Sequence, residues 1–408
     1  MVVKERFVVK RLRLINVMGE VWDFWALLRG FDRDLDSRFV SLYAPRLAGD
    51  IPHKRIIELG EHIQQFWTWP YKLIRRAWYI RREIRKHRPE FVVSHHDDAN
   101  FSMVIVLAIS RLKKEPTRFI AWIHSSPERG YASKTYSVIV RAIGSRVYRT
   151  FDKIITPSEG NRQQIIKRYG VEPSKVVVWP NPFDSKQIAE QSCEIVPKTI
   201  IRTSDKPVIV TIGRLTEQKG QWHLIRAFAS ICKTYPKAQL IILGEGELRE
   251  KLEKLTNDLG ISSNVSFPGF VKNPYAVLHK ADIFVLPSLW ETFGNVLVEC
   301  MLCNTPIIST DCEFGPRDIL QSTRAAQKEI IEARGGILVP VPDGVWRTTT
   351  PLVREEKMLH DAIKRVLEDS ELRRRLVRNG RSIARAYDFS NIQYDRAIAK
   401  LFKTTSSE

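Results

Sequence analysis

Glu291 and Glu299 lie eight positions apart in Asp282-Ile-Phe-Val-Leu-Pro-Ser-Leu-Trp-Glu-Thr-Phe-Gly-Asn-Val-Leu-Val-Glu299. The apolar run at its start reads as a strand, and Glu291 falls in the loop that follows. Phe293, Gly294 and Asn295 then open a helix that carries Glu299. At ~1.5 Å per residue the two carboxylates are at most about 12 Å apart if the whole span is helical. Between them lies a helix N-terminus, with unpaired N–H groups and the positive end of the dipole. That arrangement suits a ligand with hydroxyls at both ends and phosphates between. A nucleoside diphosphate sugar has that layout: hexose, pyrophosphate, ribose. Glutamate pairs at this spacing are common on solvated helices, so the pair gains meaning from its neighbours.

Those neighbours lie upstream. Pro207-Val-Ile-Val-Thr-Ile-Gly-Arg-Leu-Thr-Glu-Gln-Lys-Gly220 reads as a buried strand, a glycine turn and a helix start. Gly213 lets the backbone turn where a phosphate approaches. Arg214 offers a planar fork and Lys219 a point charge, both suited to pyrophosphate oxygens. The plain alternative is two surface cations at a strand end.

Together these pieces resemble the family-4 retaining glycosyltransferases, with their E-x7-E block and G-R-L…K-G element. The resemblance runs in order from Val208 to about Tyr387. Ala238–Gly246 reads as a strand and Glu247–Gly260 as an amphipathic helix. Val265–Val271 is a short strand whose loop, with Phe270 and Val271, passes the nucleotide base in the family. Pro306–Asp311 and Gly335–Pro340 are further strands, and Phe314-Gly-Pro-Arg-Asp-Ile-Leu320 resembles a donor-side loop. The resemblance implies a GT-B fold, two facing Rossmann-like domains with a cleft between them. It also implies a catalytic part for Glu291, a diphosphate held by Arg214 and Lys219, and no metal requirement. His124, at a strand end, is implied to contact the donor sugar near the reacting carbon; a hydrogen-bonded histidine with no chemical role is the alternative. Gly19 is implied to lie near the donor phosphates, although Val17-Met-Gly-Glu-Val has one glycine where the family usually has a pair.

The elements that must position these residues alternate between strand and helix. In the first half, strands are expected at Leu12–Met18, Arg38–Tyr43, Lys54–Leu59, Phe91–Asp97, Arg118–His124, Lys153–Glu159 and Lys175–Pro182, with a helix from about Asn100 to Arg111. Such alternation implies an α/β fold with doubly wound parallel sheets, which bind ligands at the carboxyl ends of their strands. The expected division is an acceptor-binding domain over 1–182 and a linker over 183–206. A nucleotide-sugar-binding domain would cover 207–387, and a C-terminal helix over 388–408 would cross back to the first domain. His95, His96, Asp97 and Asp98 follow a strand and are candidate acceptor-side residues. Asp34-Leu-Asp36 reads as solvated surface.

The chain has 408 residues, 43% apolar and 27% charged, as in ordinary globular proteins. No apolar run reaches the length of a membrane span, and no secretory leader is visible. Cytoplasmic residence is expected, with reduced thiols at all five cysteines. Cys300, Cys303 and Cys312 are read as packing residues rather than zinc ligands. The net charge of +19 calls for an anionic partner. Its densest stretch is Lys72–Arg88, where Leu73, Ala77, Ile80 and Ile84 form an apolar stripe and Arg75, Arg76, Arg82, Arg85, Lys86 and Arg88 lie mostly elsewhere. Two readings stand side by side: a helix for an anionic membrane surface, or a sheet-packing helix with a soluble outer face. No nucleic-acid module is recognisable.

The activity expected from the resemblance is retaining transfer of a hexose from a nucleotide-diphosphate sugar. The acceptor would be a glycan or a lipid-linked molecule at the cytosolic membrane face. A transferase with a soluble acceptor, a phosphorylase, a nucleotide-sugar epimerase and a non-catalytic binding protein are the alternatives. No cofactor beyond the donor is expected.

Overall fold

The computed structural model describes residues 12–18, 35–41, 56–58, 69–123, 144–181, 183–201 and 207–388. The chain divides into two compact units, Met1–Pro180 and Asn181–Glu408.

The first unit holds a parallel sheet of seven strands. They are β1 (Leu12–Met18), β2 (Leu35–Ser41), β3 (Ile56–Glu58), β4 (Phe91–His95), β5 (Arg118–Trp122), β6 (Lys153–Thr156) and β7 (Val176–Val178). Their spatial order is β3-β2-β1-β4-β5-β6-β7, so the winding reverses between β1 and β4. Arg13 of β1 stands in register with Asp36 of β2. That register puts Asp36 in the sheet rather than in a surface loop. The strand expected to run to Asp97 stops at His95, and the helix His96–Leu112 starts at once. His95 is buried, its ring 5.5 Å from that of Trp122.

The second unit is built the same way. Its strands are β8 (Val208–Ile212), β9 (Gln239–Leu243), β10 (Val265–Gly269), β11 (Ile283–Leu286), β12 (Ile307–Thr310), β13 (Ile331–Glu332) and β14 (Ile337–Val339). The order is β10-β9-β8-β11-β12-β14-β13. The β13–β14 pair is antiparallel and the others are parallel. Both faces of this sheet are covered, which is why its strands are unbroken apolar runs. Side chains alternate between two cores. Val208, Val210, Phe284 and Leu286 enter one. Ile209, Ile283 and Val285 enter the other.

Residues 183–201, expected to belong to a linker, are packed into the second unit. Phe183 bridges to Asp388, and the helix Ser185–Ser192, capped by Asp184, packs beside the helix Pro274–Lys280. Ile188 and Ile200 are buried there. Apolar side chains spaced through a polar stretch gave this segment a core to join. The expected C-terminal helix lies, apart from Asp388, outside the described residues.

Candidate functional site

The reversal of winding in the second unit falls between β8 and β11, whose carboxyl ends release the two loops that carry the expected chemistry. Beyond β8, Gly213 donates its N–H to Leu243 O at 3.0 Å, and Arg214 reaches solvent. The chain then forms a single turn, Glu217–Lys219, closed by Gly220 at φ 59°. A Cβ on Gly220 would stand 2.5 Å from Pro287 O. Only glycine lets this turn lie against the loop after β11.

Several bonds join the two loops. Leu289 N donates to Gln218 O at 2.8 Å, and Gln218 Nε2 donates to Trp290 O at 3.0 Å. Arg214 Nη2 donates to Gln218 Oε1 at 3.3 Å. Lys219 Nζ pairs with Glu291 Oε1, and Ser288 Oγ donates to the same oxygen at 2.7 Å. Glu291 is 5% exposed, so its carboxylate is held in a nearly dry place by two donors. Lys219 is a compact ammonium with three N–H groups, so it can keep Glu291 and still offer protons to an anion.

The helix Asn295–Leu302 follows, with Gly294 as N-cap. Asn295 is exposed and its Oδ1 accepts from Asn181 Nδ2 at 2.8 Å. Glu299 is half-buried on this helix. Phe293, a candidate substrate-binding residue through the helix start that follows it, has its ring buried in the core, edge-on to Tyr387 at 5.8 Å, and its backbone leads into that helix start. Burial, with Asp318 nearby, pushes the Tyr387 phenol up to about 12. Phe270, after β10, is 78% exposed, while Val271 is half-buried against the core. Gly19 and His124 lie outside the described residues.

A third loop, after β12, backs the first two. Gly315 has φ 120°, and a Cβ there would fall 1.9 Å from Phe293 O. Glu291 N donates to Glu313 O at 3.3 Å. Asp311 fixes this loop: it accepts from Arg317 Nε at 3.0 Å and Nη2 at 2.7 Å, and from Ala326 N at 2.6 Å. Ser288, Gln218 and the Asp311–Arg317 pair were not singled out from sequence. The weak signal for the last was an aspartate at a strand end followed by an arginine six residues on.

Cys300, Cys303 and Cys312 are buried. Burial, with Glu299 nearby, pushes the Cys303 thiol up to about 12, and burial raises Cys300 and Cys312 as well.

The chain is similar to known proteins along its length. The family model described as "Glycosyl transferases group 1" matches residues 194–383, and "Glycosyltransferase Family 4" matches residues 26–187. An uncharacterised glycosyltransferase of Methanocaldococcus jannaschii is 37% identical over 388 residues, 93% of this chain and 95% of its own. A Campylobacter jejuni N-acetylgalactosamine-N,N'-diacetylbacillosaminyl-diphospho-undecaprenol 4-alpha-N-acetylgalactosaminyltransferase is 28% identical over 291 residues, 71% of each chain. Among solved structures, Anabaena HepE in complex with UDP superposes with a TM-score of 0.72 at 17% identity, covering 96% of this chain and 100% of that one. Sucrose-phosphate synthase of Thermosynechococcus elongatus gives 0.73 at 18% identity, covering 97% and 100%. The chain therefore belongs to the group 1, family-4-type glycosyltransferases and has their GT-B fold.

Proposed function

We propose that this glycosyltransferase moves a hexose from a nucleotide-diphosphate sugar to a glycan or lipid-linked acceptor, with retention of configuration and without a divalent metal. The carrying observation is the group formed at the β8 and β11 exits: an exposed Arg214 beside a Lys219–Glu291 pair backed by Ser288. Two cations beside a helix N-terminus form a preorganised seat for a diphosphate whose charge grows as the sugar departs. Arg214 and Lys219 would hold those phosphates. Glu299 would bind the ribose hydroxyls, Glu291 the hexose hydroxyls, and Phe270 with Val271 would border the base. The acceptor hydroxyl would attack on the face that the diphosphate leaves. Its proton would pass to a phosphate oxygen as the sugar–oxygen bond breaks. His124 and Gly19 would complete the donor surroundings.

The relatives support this reading through what they bind. HepE is solved with UDP and with UDP-glucose. The Campylobacter relative acts on a diphospho-undecaprenol sugar, which favours a lipid-linked acceptor at a cytosolic membrane face. The test is hydrolysis of a panel of nucleotide sugars, followed by NMR of the sugar product's anomeric configuration. One donor should be cleaved well above the rest, with retention, and chelator should not abolish the activity. Inversion, or rescue of a chelated enzyme by manganese or magnesium, would refute the corresponding part.

A further inference from the structure

We propose that Gln218 is a positioning residue for the transfer reaction: its side-chain amide sets the Arg214 guanidinium on one side and the backbone before Glu291 on the other. The inference rests on the reading of Arg214 as a diphosphate ligand, and it adds a residue that acts through two others. Gln218 is half-buried in the turn Glu217–Lys219. Its Nε2 donates to Trp290 O at 3.0 Å, and its Oε1 accepts from Arg214 Nη2 at 3.3 Å. A carbonyl can only accept and a guanidinium can only donate, so the partners fix which way round the amide lies. A glutamate here could meet Arg214 but has no hydrogen for the carbonyl. A lysine could meet the carbonyl but would repel the arginine. An amide of this length serves both.

The main chain and the side chain of Arg214 are held very differently. Arg214 O accepts from Thr216 N at 3.0 Å and from Gln221 Nε2 at 2.9 Å, and Leu215 N donates to Glu245 O at 2.9 Å. Gln221 is itself buried, so the backbone at Arg214 is pinned from inside the fold. The guanidinium is exposed, and among the described residues Gln218 is its one hydrogen-bond partner. A long cationic side chain gives up rotamer freedom when it closes on an anion. A partner that holds it beforehand lowers that cost. One long bond still leaves the other guanidinium N–H groups for phosphate oxygens.

The other end of the amide acts on the loop after β11. Trp290 precedes Glu291, whose carboxylate is held by Lys219 and Ser288. Leu289 N donates to Gln218 O at 2.8 Å, a main-chain bond that any side chain at position 218 retains. Gly220 lies against Pro287 O in the same way. The two loops therefore stay together without the amide. What the amide adds is a fixed Trp290 carbonyl, and with it the point from which Glu291 starts. One side chain thus ties the orientation of Arg214 to that of Glu291, the residues proposed for the diphosphate and the hexose.

The test is a double-mutant cycle of Gln218→Met and Arg214→Ala, read by calorimetry with the preferred nucleoside diphosphate and by donor hydrolysis. Methionine keeps the length of glutamine and loses both bonds. Gln218→Met should weaken nucleoside diphosphate about fivefold in the wild type and by less than about twofold in Arg214→Ala, because its effect on binding passes through Arg214. Its kcat should fall about tenfold in both backgrounds, because the Trp290 carbonyl is released in either. The melting temperature should stay at the wild-type value. Full nucleoside diphosphate affinity in Gln218→Met, an equal loss in both backgrounds, or an unchanged kcat overturns the proposal. So does a melting temperature that falls with both readouts, since Gln218 is then a structural residue only. If Arg214→Ala itself keeps full affinity, the diphosphate assignment fails and takes this inference with it. Weaker binding in Arg214→Ala with additive effects of Gln218→Met refutes the inference alone.

Discussion

Lys219 pairs with Glu291, so the two residues with the clearest expected roles are partners. The lysine's charge is compensated, whereas Arg214 stands exposed with a long contact to Gln218. Arg214→Ala and Lys219→Ala should therefore each weaken nucleoside diphosphate binding by about 1.5–3 kcal/mol, the usual worth of a bond to a charged group. Calorimetry giving unchanged affinity in both would remove the diphosphate assignment. The glutamates should separate. Glu299→Ala should weaken free nucleoside diphosphate, because its proposed partner is the ribose. Glu291→Ala should leave that affinity intact or tighter, because Lys219 loses its compensating anion, while transfer slows. Equal weakening in both variants contradicts the assignment. These residues could be read from sequence because charge at a strand exit and at a helix start has few uses. Gln218 and Ser288 could not. Gln218 reaches Trp290 across 72 positions, and Ser288 matters only through the carboxylate it meets, so neither signal exists without the fold.

Elements carry the site through their ends and their anchors. The helix Gln221–Thr234 starts directly after Gly220, so its position governs where Lys219 stands. A buried group pins it. Glu356 accepts from Arg226 Nε at 2.9 Å and lies 2.8 Å from His223 Nδ1. Arg226 also donates to the carbonyls of Thr350 and Pro351 at 3.0 Å, and Trp222 stacks on Trp346 at 5.4 Å. Burial alone would raise the Glu356 carboxyl, but hydrogen bonds from His223 and Arg226 outweigh it and hold the group below its ordinary value. A carboxyl depressed in the fold stabilises it above the unfolded value of about 4.3, and that stability is lost as pH falls below it. Glu356→Gln should cost about 3 kcal/mol or more near neutrality, since it leaves a buried arginine without its charge partner. Its melting temperature should then fall less steeply than the wild type's in the acid range. Parallel curves would deny Glu356 this role. The strands were legible because their apolar runs are nearly unbroken, whereas ends shifted where chemistry was ambiguous. His95 and His96 look alike in sequence, yet the strand ends at the first and the helix begins at the second. The Glu356 cluster was silent, being a histidine, an arginine and a glutamate scattered on two amphipathic helices.

At the scale of the molecule, alternating strands and helices made two doubly wound sheets legible, and their orders follow that pattern. The boundary was less legible. A polar stretch after Asn181 looks like a tether, but Phe183, Ile188 and Ile200 find a core in the second unit. That unit has a consequence for the donor. Arg214, Gln218, Lys219, Ser288, Glu291, Glu299 and the loop fixed by Asp311 all come from Asn181–Glu408. Both of its cores are likewise built from its own residues. A compact unit with its own core can fold alone. The fragment Asn181–Glu408 should therefore unfold cooperatively and bind the preferred nucleoside diphosphate within a factor of about three of the full chain, less than 1 kcal/mol of difference. It should transfer no sugar, since the expected acceptor residues and His124 belong to the first unit. Calorimetry on the fragment and the full chain gives the comparison. A folded fragment that fails to bind would mean that the first unit supplies a donor contact, and the assignment of the diphosphate to Arg214 and Lys219 would have to share that task with residues before Asn181.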